Sequence, residues 1–215
     1  MLCNRLDLKI QVLIRILEIP FDVKYYLNIH RRKEKVAVAN HIVPFIFGIK
    51  WTYVIHCKWD LYSVESNCEI ATNERFLGAN GLTLNKHRTR LFVNDPLAKT
   101  VTVYTITDHG GKNVLRKEEN IELPMVVDNI EYDHGSDEIW MGTLPDLTSV
   151  MQHSGNKSIP VPGGFAVLRN VDGQWSVEDV LEHDGSKLSQ VSAGARFGSR
   201  IILGSPYSDG ILVCN

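Results

Sequence analysis

Three side chains in this 215-residue chain hold oxygens that could do chemistry together: Asn80, Asp128 and Asn129. Carboxylate and amide oxygens are hard donors of the kind that calcium gathers, about 6–8 at about 2.3–2.6 Å. Each group stands just ahead of a short apolar run, Asn80-Gly81-Leu82 and Asp128-Asn129-Ile130. The same residue types also serve as turn residues that bond nearby backbone, so residue type alone leaves both roles open. A shared metal requires the chain to bring the two segments to one point.

The elements around them repeat. Leu82 is followed nine positions later by Leu91-Phe92-Val93-Asn94, and Ile130 nine positions later by Ile139-Trp140-Met141-Gly142. The two copies are offset by 48 residues. Each reads as a strand, a polar turn (85–89 and 133–137), a second strand, and then an outer strand such as 100–107 or 164–170. A third stretch, Ser192-Ala193 through Ile201-Ile202-Leu203-Gly204, keeps the nine-residue step at a longer offset. A period of about 40–50 residues with about four strands per period predicts β-propeller blades. The alternative is a sandwich whose strands recur by chance. In a propeller the innermost strands open onto a central channel, which would make Asn80, Asp128 and Asn129 converge.

The chain divides into two unlike parts. From about Gly48 onward, glycine, proline and Asp/Asn turns punctuate short runs rich in Val, Ile, Phe and Trp, the pattern of an all-β domain. Residues 1–46 contain no glycine, and 8–18 (Leu8, Val12, Leu13, Leu17) suit a short amphipathic helix or a strand. The expected organisation is an atypical segment over 1–46 and a partial β-propeller over 47–215.

Composition narrows the function classes. A hydrophobic fraction of 44% and a charged fraction of 22% are ordinary for a soluble protein with one sizeable core. The formal charge of −2 gives no electrostatic ground for a nucleic-acid or anionic-membrane partner. The basic run Arg31-Arg32-Lys33 with Lys35 is short and reads as a solvated face. Between Met1 and Pro20 the longest apolar run is Val12-Leu13-Ile14, against the roughly 7–15 residues of a secretory leader, so no signal peptide is expected there. His41–Cys57 carries Lys50 and falls short of the roughly 20 residues of a membrane span.

Other reactive constellations are missing. There is no GxSxG, HExxH, Walker loop or GxGxxG after a strand. Most of the eight histidines lie in polar turns, His87 and His134 in the equivalent turn of two repeats, and His183-Asp184 reads as a turn. Gly110-Gly111 and Gly163-Gly164 read as hairpin turns. Asn156-Lys157-Ser158 is a glycosylation sequon in a loop flanked by Gly155, Pro160 and Pro162. Cysteines 3, 57, 68 and 214 follow no zinc-ligand spacing. Cys57 and Cys68 are either a disulfide of an exported protein or buried free thiols.

Four blocks of the chain resemble the serum paraoxonase/arylesterase family. Leu77-Gly78-Ala79-Asn80-Gly81-Leu82 is similar to its "ANGI/ANGL" segment, and Val126-Val127-Asp128-Asn129-Ile130 through Asp137-Glu138-Ile139-Trp140-Met141-Gly142 to its "LVDNI…GDLWVG" block. Trp51-Thr52-Tyr53-Val54 resembles "WSYV", and Gly198–Gly204 with Ile211-Leu212-Val213-Cys214 resembles the "GKLLIG…LYC" terminus. The blocks run in the family's order from about residue 47 to 215.

The resemblance implies a six-bladed β-propeller, of which about three to four blades lie in this chain. It also implies a calcium-dependent hydrolase of aryl esters and lactones, secreted or extracellular, with a small ester or lactone as its partner. Asn80, Asp128 and Asn129 match three ligands of the family's catalytic Ca2+. The other ligands, and the histidine pair usually assigned to activating water, belong to the family's N-terminal half and have no match in 1–46. Leu144 stands where the family commonly has a histidine. The family's last cysteine, matched by Cys214, closes the propeller by pairing near the N-terminus; Cys3 is the one candidate partner, in a segment without resemblance. With ligands missing, a non-catalytic propeller remnant that serves as a binding module is the alternative.

Overall fold

The computed structural model describes residues 3–7, 24–27, 48–59, 66–109, 112–156 and 158–215. Strand β1 (Cys3–Asp7) opens the chain. Strands β2 (Lys24–Leu27), β3 (Val54–Trp59) and β4 (Ser66–Ile70) form a three-stranded sheet. Strands β5 (Leu82–Leu84), β6 (Arg90–Asp95), β7 (Thr100–His109) and β8 (Lys112–Glu122) form a four-stranded antiparallel meander. Strands β9 (Val126–Asp133), β10 (Glu138–Leu144), β11 (Gly163–Val171) and β12 (Gln174–His183) form a second. Strands β13 (Ala193–Phe197), β14 (Arg200–Gly204) and β15 (Gly210–Cys214) take up β1 as their fourth strand, in the order β1-β15-β14-β13. Helix α1 (Leu147–Gly155), between β10 and β11, is the one helix among the described residues. The protein is mostly β, as its sequence predicts.

Local chemistry explains the hairpins. In the β5–β6 turn the Asn85 side chain accepts from the backbone N–H groups of Thr89 and Arg90, both at 2.9 Å, and Arg88 takes a positive φ of 55°. In the β9–β10 turn Asp133 accepts from Gly135 N–H at 3.0 Å and from the Ser136 hydroxyl at 2.8 Å. Side-chain acceptors of this kind satisfy turn backbone that strands cannot. Burial and the Asp137 bond together push the adjacent Tyr132 phenol up to about 12.

The core lies between successive sheets. Phe92, Val101 and Val103 of the first meander pack on Val127, Ile130, Ile139 and Met141 of the second. Trp140, Phe165 and Val167 of the second pack on Leu203, Leu212 and Cys214 of the third. Val54 and Phe76 pack on Leu91 and Val93. Each fully buried aliphatic or aromatic side chain is worth about 1.5–3 kcal/mol, so every sheet depends on its neighbours. As a result the inner strands β5, β9 and β13 lie side by side.

The structure departs from the sequence reading at three places. One is the histidines: among those described only His87 and His134 lie in turns, while His56, His109 and His183 lie in strands and His153 in helix α1. Met141 pairs with Ile130 and Val93 with Leu82, but Leu203 pairs with Gly194. The third hairpin is therefore two residues tighter than the others. The nine-residue step from Ser192 to Ile201 has no structural equivalent, and Gly194, not Ser192, is the counterpart of Leu82 and Ile130. Gly163 and Gly164 are not a turn: both lie in β11, paired with His183 and Glu182. The helix or strand expected at 8–18 and the turn at Gly110-Gly111 lie outside the described residues.

Both disulfides form across paired strands. Cys3 faces Cys214 between β1 and β15, and Cys57 faces Cys68 between β3 and β4. The first joins the two ends of the chain, 211 residues apart, and fixes β1 as the outer strand of the last sheet.

Candidate metal centre

Asn80 is placed by the loop that precedes β5. Both carboxylate oxygens of buried Asp95 hold that loop, accepting from Leu77 N–H at 2.7 Å and Gly78 N–H at 3.1 Å, while Ala98 N–H bonds the same carboxylate at 3.1 Å. Buried Thr52 completes the support: its hydroxyl accepts from Ala79 N–H at 2.9 Å and donates to Phe76 O at 3.1 Å. Asn80 N–H then bonds Asn94 O at 3.0 Å.

Asp128 and Asn129 are placed by a bulge. Ile130 pairs with Met141 and Val127 with Thr143, so two residues of β9 stand opposite the single Gly142 of β10. An extra residue of this kind breaks the strand alternation and re-aims side chains. Val126 and Val127, before the bulge, alternate normally and are buried in two different clusters, whereas Asp128 and Asn129 in the bulge are both half-buried.

Glycines let the neighbouring strands close on this bulge. A Cβ on Gly81 would lie 2.9 Å from the backbone nitrogen of Ile130, and one on Gly142 would lie 2.4 Å from the backbone oxygen of Ser192. Real Cβ contacts are not this short, so only glycine permits the approach.

Of the three residues, Asn80 and Asp128 come into direct contact. The Asn80 amide Nδ2 donates to Asp128 O at 2.9 Å and also to Asp128 Oδ1. Asn129 follows Asp128 in the chain, but its amide turns to the next sheet, where it donates to Ser192 Oγ at 2.8 Å. Its N–H bonds Ser192 O at 3.0 Å. Asn80 and Asp128 thus touch directly, while Asn129 is joined to them through the backbone.

Two further amides, not singled out from sequence, complete the arrangement. Asn94, fully buried, donates from Nδ2 to Val127 O at 2.8 Å and Asp128 O at 2.7 Å, fixing the bulge. Gln190 donates from Nε2 to Asp128 Oδ2 at 3.3 Å. The register offered one pointer: Ser192, two residues before Gly194, stands where Asn80 and Asp128 stand before Leu82 and Ile130.

The donor set is oxygen-rich with a single negative charge. Among the described residues no three His, Cys, Asp or Glu side chains come together. The Asn94 Oδ1 and Gln190 Oε1 acceptors are buried without a hydrogen-bond partner. One carboxylate, several amide oxygens and no nitrogen or sulfur ligand suit a hard cation such as calcium. Leu144, on the neighbouring strand, is a buried aliphatic side chain packed on Val126 and Val161 and offers no titrating group.

His183, the last residue of β12, pairs with Gly163 at the start of β11. Burial, with Lys187 adding and Asp184 opposing, holds its imidazole below the ordinary histidine range. Its Nδ1 accepts from Gly185 N–H at 2.9 Å, which only the neutral ring can do.

All-β meanders arranged around a convergent amide–carboxylate cluster are the class that fold and site define, and comparison with known proteins gives the family. The arylesterase family model matches residues 32–215. The chain belongs to the arylesterase (paraoxonase) family. It is 26% identical to human serum paraoxonase/lactonase 3 over 175 residues, which are 79% of this chain and 46% of that protein. It is 28% identical to human serum paraoxonase/arylesterase 2 over 167 residues, which are 76% of this chain and 45% of that protein. The chain thus spans about half the length of the curated relatives it matches. A crystal structure from Bacteroides uniformis, assigned as a 6-phosphogluconolactonase, aligns with a TM-score of 0.47 at 11% identity over 73% of this chain and 44% of that one.

Proposed function

We propose that Asn80, Asp128 and Asn129 form the calcium-holding part of a hydrolase of aryl esters and lactones. Membership of a family whose relatives are named paraoxonase, arylesterase and lactonase supports the reaction class. The observation that carries the site is the contact between Asn80 and Asp128, two polar residues from adjacent sheets, beside buried amide oxygens without partners. We infer that residues 47–215 are about three to four blades of a six-bladed β-propeller, with 1–46 an atypical segment whose β1 completes the last blade. Consecutive meanders with cores between them support this architecture.

Calcium, when bound, would polarise the substrate carbonyl and stabilise the oxyanion that forms. Asp128 provides the charge that retains the cation. Asn80 and Asn129 present neutral oxygens when their amides turn about the last torsion, which exchanges a donor for an acceptor. Asp95 and Thr52 hold Asn80 in place, and Asn94 holds the Asp128 backbone. Two disulfides, which persist in oxidising compartments, the exposed Asn156 sequon and the relatives' "serum" names support a secreted or extracellular protein.

A second reading, a non-catalytic propeller remnant that binds a ligand, is favoured by the single carboxylate at the site. Hydrolysis of phenyl acetate and of a simple lactone, with calcium and with a chelator, separates the two. The enzyme reading expects calcium-dependent turnover that Asp128→Asn removes. Calcium binding without turnover favours the binding module. Turnover indifferent to both chelator and Asp128→Asn sinks the metal reading.

A further inference from the structure

We propose that Gln190, from the loop that leads into β13, is an additional oxygen ligand to a cation held by Asp128. The proposal rests on the calcium reading above and adds a residue that neither the sequence motifs nor the family resemblance assigns. Asp128 is gripped from two sides, Oδ1 by the Asn80 amide and Oδ2 by the Gln190 amide at 3.3 Å. Gln190 is only 6% exposed, and its Oε1 has no hydrogen-bond partner. A buried acceptor left unpaired is costly, and native structures rarely keep one without a purpose.

The backbone points the same way. Gln190 sits at a φ of 56°, in the left-handed region that disfavours side chains other than glycine. The conformation is pinned on both sides: Gln190 N–H bonds Val161 O at 3.0 Å, and Val161 N–H bonds the Ser189 hydroxyl at 2.9 Å. Glycine would occupy this position without strain, yet a long amide stands there and reaches Asp128. If its task were only to donate to Asp128, Nε2 would fulfil it and Oε1 would not be sequestered from water. Turning the amide about its last torsion directs Oε1 toward a cation at Asp128, and the same turn in Asn80 adds a second oxygen. The cluster would then offer oxygens from the loop before β5, from β9 and from the loop before β13.

Calcium titration of the full chain by calorimetry tests this with Gln190→Gly, Gln190→Glu and Asp128→Asn. Gln190→Gly suits the positive φ, so it removes the amide without endangering the fold. The expected result is roughly tenfold or greater weakening of calcium binding in Gln190→Gly, and binding at least as tight as wild type in Gln190→Glu, which keeps the oxygen and adds charge. Wild-type affinity in Gln190→Gly, with binding lost in Asp128→Asn, overturns the role of Gln190 and leaves the calcium reading intact. Absence of binding by the wild-type chain overturns both.

Discussion

The Asn80 amide donates to the backbone carbonyl of Asp128 at 2.9 Å, and the two residues are 48 apart in the chain, one repeat period. Equivalent positions of consecutive repeats therefore meet. This requires each sheet to pack face to face on the next with its inner strand beside the neighbouring inner strand.

The loop that presents Asn80 depends on Asp95. Replacing it with alanine strips acceptors from three N–H groups, those of Leu77, Gly78 and Ala98. Asp95→Ala is expected to lower stability by about 2–3 kcal/mol, read from the midpoint of urea unfolding. A loss below about 0.5 kcal/mol would show that the loop is held by other contacts.

Close approach of strands at the bulge is tested by glycine substitution. Gly142→Ala places a Cβ 2.4 Å from Ser192 O and is expected to cost about 1–3 kcal/mol. Gly204→Ala meets nothing within 4 Å and is expected to stay within about 0.5 kcal/mol of wild type. Equal effects of the two in thermal melts would contradict the packing described.

The two disulfides should differ in weight. Cys3 and Cys214 are 211 residues apart, Cys57 and Cys68 only 11. Closure entropy then predicts a loss of about 5 kcal/mol for Cys3→Ser and about 3 kcal/mol or less for Cys68→Ser. Reversal of that order in denaturant titrations would show that β1 adds little to the last sheet.

His183 sets a pH dependence. Its folded imidazole titrates below the ordinary value because of burial, so the unfolded chain takes up the proton first as pH falls. The stabilisation is complete above the ordinary histidine pKa of about 6.5 and is lost as pH falls below it. Unfolding midpoints between pH 7.5 and 5 should decline less steeply in His183→Gln than in wild type. Identical slopes would remove His183 from this role.

Much of this was legible in the sequence because it is periodic. Turn residues such as Asn85 and Asp133, and the apolar runs after Asn80 and Asp128, gave the meanders and the convergence of Asn80 with Asp128. The bulge at Asp128-Asn129 was not legible, since nothing local distinguishes two residues facing one from a regular pair. Gln190 escaped notice because it lies four residues before Gly194, whereas Asn80 and Asp128 lie two before the equivalent Leu82 and Ile130. Gly163-Gly164 looked like a turn, yet it opens a buried strand where the chain returns from helix α1. The pairing of Cys3 with Cys214 rested on family resemblance alone, because 211 intervening residues leave no local signal.

The most direct test of the proposed calcium centre is a crystal structure of this chain grown in millimolar calcium. The expected result is an ion within about 2.3–2.6 Å of an Asp128 carboxylate oxygen and the Asn80 Oδ1, with the Asn80 amide turned from the orientation in which Nδ2 faces Asp128. An unchanged Asn80-to-Asp128 hydrogen bond with no ion beside it would contradict the account.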